Sequence, residues 1–327
     1  MIPRDDLIQA FLTRNGASLS DAEPLAQDAS FRRYLRLRHP RPLVLMDAPP
    51  PEDVRPFLRI ARHLHAQRLA VPAIIDADEA NGLVLEEDLG DDLLSTLLDQ
   101  GAAAEAILNA AVDALAAWQR IPPAPDLPAW DTGPMVTTAT GTIFDWWWPA
   151  RYGNPAPEAA RQDVTGALHQ MLRPVTEGPR TMVHRDWFAG NLLAQPDGRV
   201  GIIDFQGAAI GHPAYDLMSL LQDARRDIPR DAAARAFRRY LALRPDLDAP
   251  AFEAAYAACA AQRHLRVSGQ WVRLALRDGR PQYLAHGPRT WRLLADALTH
   301  PATAPLAQAL DRWIPAADRG NPPERAA

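Results

Sequence analysis

The chain has 327 residues, of which 47% are hydrophobic and 23% are charged, and its formal net charge is −5. Single cores rarely grow beyond roughly 250 to 300 residues, so this length predicts two lobes or domains. With a negative net charge and no long basic run, nothing in the composition suggests binding to nucleic acid or to an anionic membrane surface.

Three further features of the sequence restrict the kind of protein this can be: the N-terminal residues, the single cysteine and the lack of lysine. Acids stand within the first six residues, and no stretch approaches the roughly 18 apolar residues of a membrane span, so we expect neither a secretory signal nor a membrane segment. Cys259 is the only cysteine, which rules out an internal disulfide and a cysteine-based zinc site. We therefore expect a cytoplasmic protein. All 35 residues counted as Lys or Arg are arginine, so no mechanism can depend on a lysine.

Residues 1–88 predict a small sheet with one principal helix. The runs "FRRYLRLR" (31–38) and "PLVLM" (42–46) are typical of adjacent strands after the turn "QDAS". Segment 51–69 has acids at its start and apolar residues at helical spacing, which predicts a helix that ends before Pro72. The stretches "AIIDAD" and "GLVLEEDLG" predict two further strands.

From residue 89 the short strand-like runs give way to mostly helix-like segments, and we predict a second, mainly helical lobe over 89–327. A Pro-rich connection, "IPPAPDLPAW", predicts a rigid extended crossing between the first two helices. Ala- and Leu-rich segments predict the helices: 91–120, 157–173, 213–226, 230–242 and 249–298.

The stretch "TMVHRDWFAGNLL" carries the strongest chemical signal. Its Asp186 and Asn191 match the pattern H-R-D-x-x-x-x-N, in which the Asp orients or accepts the proton of an attacking hydroxyl and the Asn supplies a metal-ligating oxygen. Thirteen residues later, "VGIIDFQG" brings Asp204 to the place of a second, metal-binding aspartate. Either stretch alone could be a buried strand ending at a turn, but their order and separation favour a kinase. We predict that Asp186 is catalytic and that Asn191 and Asp204 hold Mg²⁺ beside ATP.

These motifs resemble a known family. The catalytic loop, the segment "IDFQGAAIGHPAYDLMSLL" and the small N-terminal lobe are similar to the aminoglycoside phosphotransferase and choline kinase-like branch of the kinase fold. The resemblance implies an α+β, two-lobed protein-kinase-like fold, with a small antiparallel-sheet N-lobe that binds nucleotide and a larger, mainly helical C-lobe. It also implies that Asp216 anchors the catalytic region and is not itself catalytic.

Several separate stretches share a narrower resemblance to one group of enzymes. "DASFRRYLRL", "VLMDAPPPEDVRPF", "LEEDLGDD", "FDWWW" and "DFQGA" look like the bacterial anomeric kinases of N-acetylmuramate and N-acetylglucosamine that serve cell-wall recycling. That resemblance implies ATP-dependent phosphorylation of the C1 hydroxyl of a small amino sugar, with neither nucleic acid nor membrane as a partner. Two alternatives stay open: a kinase for another hydroxylated molecule of the aminoglycoside, choline or homoserine type, and a nucleotide-binding pseudokinase.

The nucleotide contacts depart from the usual kinase pattern, because Met46 stands where a strand lysine would bind the phosphates. Arg32 and Arg33, directly after the "DAS" turn, are the candidates to replace it, since a guanidinium can bind phosphate oxygens. Neighbours in a strand point to opposite faces, so at most one of them should face the nucleotide. The resemblance further implies that the linker "EEDLGDD" binds the adenine edge through main-chain atoms of Glu87 and Leu89.

Aromatic residues crowd the catalytic loop and the helical lobe. Trp187 and Phe188 follow the catalytic Asp directly, and the "WWW" run occupies 146–148. These rings could stack on a sugar, but aromatic side chains beside a catalytic loop more often pack in the core. We expect core positions for Trp187 and Phe188 and for at least two of the three tryptophans.

Overall fold

The computed structural model describes residues 3–25, 32–38 and 42–323. Its strands in those ranges are β1 (Ala22–Pro24), β2 (Arg33–Leu37), β3 (Leu43–Asp47), β4 (Ile74–Asp78), β5 (Leu83–Glu87), β6 (Ala129–Trp130), β7 (Thr181–Val183), β8 (Leu192–Ala194), β9 (Val200–Ile202) and β10 (Ala209–Gly211). Its helices are α1 (Arg4–Arg14), α2 (Arg55–Ala66), α3 (Leu94–Asp99), α4 (Ala104–Trp118), α5 (Thr132–Thr142), α6 (Trp148–Tyr152), α7 (Glu158–Met171), α8 (Arg173–Glu177), α9 (Ala214–Leu221), α10 (Arg230–Leu243), α11 (Ala249–Leu276), α12 (Gly287–Ala297) and α13 (Ala304–Trp313). A π-helical segment, Ile143–Trp147, joins α5 to α6, and short 3-10 turns cover Leu19–Asp21, Ala189–Asn191, Phe205–Gly207, Pro281–His286, Pro301–Thr303 and Ala316–Asp318.

The chain divides into two compact units. Unit 1 comprises Met1–Gln100 and Ala189–Gly207, and unit 2 comprises Gly101–Phe188 and Ala208–Ala327. Unit 1 contains a short segment from later in the chain, so the linear boundary between residues 88 and 89 stays a prediction.

Unit 1 is built on an antiparallel sheet in the strand order β1-β2-β3-β5-β4. This arrangement confirms the antiparallel sheet predicted for the N-terminal lobe. Alternate strand residues such as Leu45 and Leu85 pack against Phe11 and its neighbours on α1, and together they form a buried apolar cluster. Successive side chains of a strand point to opposite faces, so Met46 and Glu86 lie on the face away from α1. The sheet thus has one apolar face and one face that carries polar groups.

Two long predicted helices are each interrupted at a glycine. Segment 91–120 forms α3 and α4 instead of one helix, and the backbone between them passes through Gly101 at φ +89°. Segment 249–298 ends its first helix at Leu276, and Gly279 follows at φ +64°. Positive φ is accessible to glycine at little cost and ends a right-handed helix.

Unit 2 is mainly helical around α11, a helix of 28 residues that packs against α5, the π-helical segment, α9 and α12. A small sheet in the order β6-β10-β7 carries the start of the catalytic loop. The segment predicted as an extended crossing, 121–130, is followed directly by a helix, because Asp131 accepts a hydrogen bond from the Gly133 N–H and begins α5. The stretch containing "WWW" is therefore helical.

The end of the described chain docks onto unit 2. The indole N–H of Trp147 donates to the carbonyl of Gly320 over 2.7 Å, and the Asn321 amide donates to the carbonyl of Leu284 over 2.8 Å. Asp318 receives hydrogen bonds from Arg151 and Tyr152. We call residues 318–321 the C-terminal clasp.

No helix among the described residues is both long enough and apolar enough to span a bilayer.

Candidate active site

A hairpin in unit 1 positions the two predicted metal ligands. β8 and β9 pair in antiparallel fashion, with Asn191 directly before β8 and Asp204 two residues after β9. The Asn191 amide nitrogen lies 3.3 Å from Oδ2 of Asp204, and the Ile203 N–H donates to the Asn191 carbonyl over 3.1 Å. The structure therefore brings these two residues together, as a shared metal site requires.

An amide beside an exposed carboxylate is a donor set that suits Mg²⁺, which prefers oxygen ligands and keeps positions for phosphate oxygens and water. In the described ranges no group of three or more His, Cys, Asp or Glu residues gathers in a way that could hold a metal. A metal at this pair would consequently need oxygen ligands from a bound phosphate or from water.

The backbone and a neighbouring amide fix the orientation of Asp204. Its φ is +62°, a left-handed conformation that costs a non-glycine residue of order 1 kcal/mol or more. Phe205, fully buried, stacks on Phe57 of α2 with ring centroids 5.1 Å apart, and Gln206 donates to Oδ1 of Asp204 over 2.6 Å. Gln206 was not predicted as a site residue, although it directly follows the recognisable "DF" pair.

The two candidate arginines separate onto opposite faces of the sheet. Arg33 donates from Nε to Asp47 over 2.8 Å, and Asp47 is fully buried and also receives Arg4. Arg32 donates from Nε to Glu52 over 3.1 Å and shares the strand parity of Tyr34, which pairs with Met46. Of the two, only Arg32 belongs to the face where a lysine is missing. The "DAS" turn before them lies outside the described residues.

Glu86 is a buried acid on that same face that sequence reasoning missed. Its relative exposure is 7%, and Oε2 has no hydrogen-bond partner within residues 3–25, 32–38 and 42–323. Burial raises the pKa of Glu86 to about 8, and the nearby charge of Arg32 opposes that rise. Burial and the charge of Glu86 raise the pKa of Tyr34 to about 12. The sequence feature that could have predicted this residue is an acid placed within the apolar run "LVLEE".

The linker "EEDLGDD" is held by Arg36, a second residue that was missed. This buried arginine forms an ion pair with Asp88 over 2.7 Å and another with Asp91 over 2.5 Å. It also donates to the carbonyl of Gly90 over 3.3 Å. These contacts fix the path of the linker where it leaves β5.

Both predicted adenine contacts lie on this linker. The Glu87 N–H donates to the Ala73 carbonyl over 2.9 Å, and the Leu89 carbonyl accepts from the Gln195 amide over 3.1 Å. Leu89 keeps a main-chain N–H that meets no acceptor in the part of the chain that the structure describes. That N–H can donate to a ring nitrogen of a purine.

In unit 2 a buried carboxylate anchors the catalytic loop. Asp216 is 0% exposed, and it accepts the N–H of His184 over 2.7 Å and the N–H of Arg185 over 2.9 Å. Burial raises the pKa of Asp216 to about 6 although these bonds favour its ionised form. Arg185 is held at φ +77°. These contacts are the anchoring role that the family resemblance implies for Asp216.

Asp186 follows on this loop and is bound by an arginine of α11. Arg263 donates from Nη2 to Oδ1 of Asp186 over 3.1 Å and from Nη1 to the Arg185 carbonyl over 2.8 Å. Burial raises the pKa of Asp186, but the charges of Arg263 and Arg266 outweigh it and hold the pKa below its usual value. Although surrounding protein atoms partly desolvate the carboxylate, 48% of the Asp186 side chain stays exposed, so an ionised acceptor faces solvent.

The aromatic residues of the loop are core residues, as expected. Trp187 is fully buried and packs against Trp118 with ring centroids 5.7 Å apart. Phe188 is 7% exposed, and the guanidinium of Arg225 lies 4.5 Å from its ring centroid. In the "WWW" run, positions 147 and 148 are buried and position 146 is half-buried. No aromatic wall of exposed tryptophans is present in this run.

A cavity of about 780 Å³ opens between α9, α10, α11 and α12 in unit 2. Its lining includes Asp223, Arg226 and Arg289 but none of the residues predicted to be catalytic, nucleotide-binding or metal-binding. The predicted site and this cavity are thus separate features.

Comparison with known proteins places this geometry in a family. Residues 21–256 match the phosphotransferase enzyme family. The chain is 36% identical to the N-acetylmuramate/N-acetylglucosamine kinase of Caulobacter vibrioides, over 95% of this chain and 96% of that protein.

The fold likeness extends to solved structures. A choline/ethanolamine kinase family protein from Mesorhizobium loti matches with a TM-score of 0.66 at 15% identity, over 95% of this chain and 100% of that one. A choline kinase from Streptococcus pneumoniae in complex with AMP matches with a TM-score of 0.61 at 13% identity, over 91% and 100%. These matches confirm the predicted kinase-like fold.

Proposed function

The chain belongs to the phosphotransferase enzyme family, alongside the N-acetylmuramate/N-acetylglucosamine kinases, and from this membership we propose that it phosphorylates the anomeric C1 hydroxyl of these two sugars with ATP. The products are sugar 1-phosphates, which fits a role in peptidoglycan recycling. The observation that carries the proposal is the nearly full-length match to such a kinase in a chain that keeps Asp186, Asn191 and Asp204. We also propose that the reaction occurs in the cytoplasm, because ATP is made and used there.

The proposed nucleotide contacts all lie in unit 1. The adenine edge binds main-chain atoms of Glu87 and Leu89, where the Leu89 N–H is an available donor. Arg32 binds phosphate oxygens in place of the missing lysine, since its strand parity puts it on the Met46 face. Arg33 is the weaker candidate, because both its Nε and its Nη2 already bind Asp47.

Asn191 and Asp204 are the proposed ligands of Mg²⁺. The ion would neutralise charge on the phosphates of the bound nucleotide, as in other phosphoryl-transfer enzymes. Gln206 holds one carboxylate oxygen of Asp204, which limits the rotation of that side chain before any ligand arrives. The strained backbone of Asp204 contributes to the same preorganisation.

Asp186 is the proposed catalytic residue. Its carboxylate accepts a hydrogen bond from the sugar hydroxyl and thereby orients the hydroxyl oxygen toward the γ-phosphorus. As the new O–P bond forms and the β–γ bridging bond breaks, the proton passes to Asp186 and then to solvent. Transition states of this kind are loose, so late proton transfer suffices, and a hemiacetal hydroxyl is more acidic than an ordinary alcohol. A carboxylate held ionised by Arg263 fits that role.

The alternative acceptors are less consistent with the residues around Asp186. Aminoglycosides and choline are cations and would require acids, whereas the charges of Arg263 and Arg266 surround this carboxylate. A pseudokinase would not need the intact set of Asp186, Asn191 and Asp204.

Phosphorus NMR of the protein with ATP and Mg²⁺ tests the proposal when N-acetylmuramate, N-acetylglucosamine, kanamycin and choline are offered in parallel. We expect a new phosphate-ester signal coupled to an anomeric proton with both amino sugars and with neither of the other acceptors. ADP formation with kanamycin or choline alone would overturn the acceptor assignment. Absence of ADP with every acceptor would favour the pseudokinase.

A further inference from the structure

Arg266 on α11 has a guanidinium without a hydrogen-bond or ion-pair partner among the described residues. It follows Arg263 by three residues, so the two side chains lie on the same side of the helix. Its Nε is buried without a hydrogen-bond partner, and its side chain forms no ion pair with any residue in the ranges 3–25, 32–38 and 42–323. Its backbone carbonyl accepts from the hydroxyl of Thr142 over 2.8 Å, which ties this turn of α11 to the end of α5.

Positive charge exceeds negative charge around the catalytic carboxylate. The charges of Arg263 and Arg266 both act on Asp186, and Arg263 also donates a hydrogen bond to it. Arg185 adds a further guanidinium, which lies 3.9 Å from the ring centroid of Trp130. Burial lowers the pKa of Arg185, and the charges of Arg266 and Arg263 lower it further. A second anion would relieve this repulsion.

The two proposed acceptor sugars differ in whether they carry an anionic group that a cluster of arginines could bind. N-acetylmuramate is N-acetylglucosamine with a lactyl ether on O3, and the lactyl group ends in a carboxylate. A guanidinium binds a carboxylate through paired, charge-assisted hydrogen bonds, which neutral hydroxyls cannot match. N-acetylglucosamine offers no anionic group at this position.

We propose that Arg266 is a specificity-determining residue that binds the lactyl carboxylate of N-acetylmuramate while the C1 hydroxyl of the sugar contacts Asp186. This inference rests on the proposed function, which it deepens by assigning the acidic part of the substrate to one residue. Contact with the carboxylate stabilises the bound sugar before and during phosphoryl transfer equally. Its loss therefore raises KM for N-acetylmuramate and leaves kcat little changed.

Steady-state kinetics with both sugars tests this assignment in Arg266→Gln, Arg266→Lys and the control Arg273→Gln. Arg273 lies two helical turns further along α11, is half-buried and also has an Nε without a partner among the described residues, but its charge is not one of the leading causes of the pKa shift of Asp186. We expect Arg266→Gln to raise KM for N-acetylmuramate roughly 10- to 100-fold more than it raises KM for N-acetylglucosamine. Arg266→Lys should recover part of the loss, and Arg273→Gln should match the wild type.

A change on the substrate side completes the test. The methyl ester of N-acetylmuramate lacks the negative charge, so its KM with the wild type should be as high as the KM of the free acid with Arg266→Gln. The variant should show nearly the same KM for the ester and the acid. Equal losses with both sugars would overturn the inference and assign Arg266 to the phosphoryl group or to Asp186. Unchanged kinetics with N-acetylmuramate would also overturn it. Failure of wild type to phosphorylate either sugar would instead overturn the proposed function, and this inference with it.

Discussion

Arg263 donates a hydrogen bond to the carboxylate of Asp186 over 3.1 Å, although the two residues lie 77 positions apart in the chain. The same guanidinium binds the Arg185 carbonyl and the hydroxyl of Tyr215. One buried side chain thus fixes both the backbone of the catalytic loop and the charge state of its aspartate.

Replacement of Arg263 by Gln should move the acid limb of the pH profile of kcat/KM to higher pH. Loss of the largest charge that opposes burial would raise the pKa of Asp186 from below its usual value of about 3.9, although Arg266 remains. As pH falls on the acid side of the profile, the variant should lose activity at a pH at which the wild type still retains it. Arg263→Lys keeps the charge and should keep the limb near its original position. A uniform fall in rate without a shift of the limb would indicate a purely structural role.

Asp186→Asn should lower kcat by about 10²- to 10⁴-fold, because the amide can neither accept the hydroxyl proton nor provide negative charge. ATP affinity, measured by calorimetry, should stay within about twofold, since the proposed nucleotide contacts are in unit 1. Loss of ATP binding in this variant would make Asp186 a structural residue.

Asp204→Ala should abolish Mg²⁺-dependent turnover, because only the Asn191 side chain would remain as a proposed protein ligand. Asp197→Ala is the matched control: this exposed aspartate lies in the turn of the same hairpin and pairs with Arg199. It should behave as wild type. ADP release by Asp204→Ala above the level of a metal-free sample would remove Asp204 from the metal site.

Arg32→Met and Arg33→Met should have different effects. The first should raise KM for ATP roughly tenfold or more, because a charge-assisted contact to phosphate is lost. The second should leave KM for ATP within about twofold but lower the melting temperature, since buried Asp47 would lose one of its two arginine partners. If Arg33→Met weakens ATP binding more than Arg32→Met, the two assignments must be exchanged.

Glu86→Gln should stabilise the protein increasingly as pH rises. Burial raises the pKa of Glu86 from 4.5 to about 8, so between these values the folded chain keeps a proton that the unfolded chain releases. The wild type therefore loses unfolding free energy as pH increases in that window, and a glutamine does not titrate. The difference between variant and wild type should grow by about 2 kcal/mol between about pH 6 and pH 8.5 in urea titrations. Glu79→Gln, at an exposed turn, should show no such trend.

The sequence predicted the parts of the site that are formed by residues close together in the chain. Asn191 and Asp204 flank a two-stranded hairpin, and the kinase-like motif with its following Asp predicted that they would share one site. Strand alternation likewise predicted that Arg32 and Arg33 would diverge, but it could not say which would face Met46. That choice follows from the position of Asp47 opposite Arg33 on the neighbouring strand.

Partners from distant elements could not be predicted. Among 35 arginines the sequence gives no reason to choose Arg263 for Asp186 or Arg36 for the linker, since both choices depend on tertiary packing. The helical stretch from Thr132 to Tyr152 was missed for a related reason. Its Gly, Thr and aromatic residues are modest helix formers, and contacts with α11 stabilise it instead.

The C-terminal clasp has a consequence for recognising this enzyme in genomes. A relative whose reading frame stopped just before Gly320 would keep Asp186, Asn191, Asp204 and every signature stretch, and a search for motifs would count it as an intact kinase. It would nevertheless lack the carbonyl that accepts the indole N–H of Trp147 and the amide that binds Leu284. The clasp residues, which carry no chemistry, should therefore distinguish genes that encode a functional enzyme from truncated copies that do not.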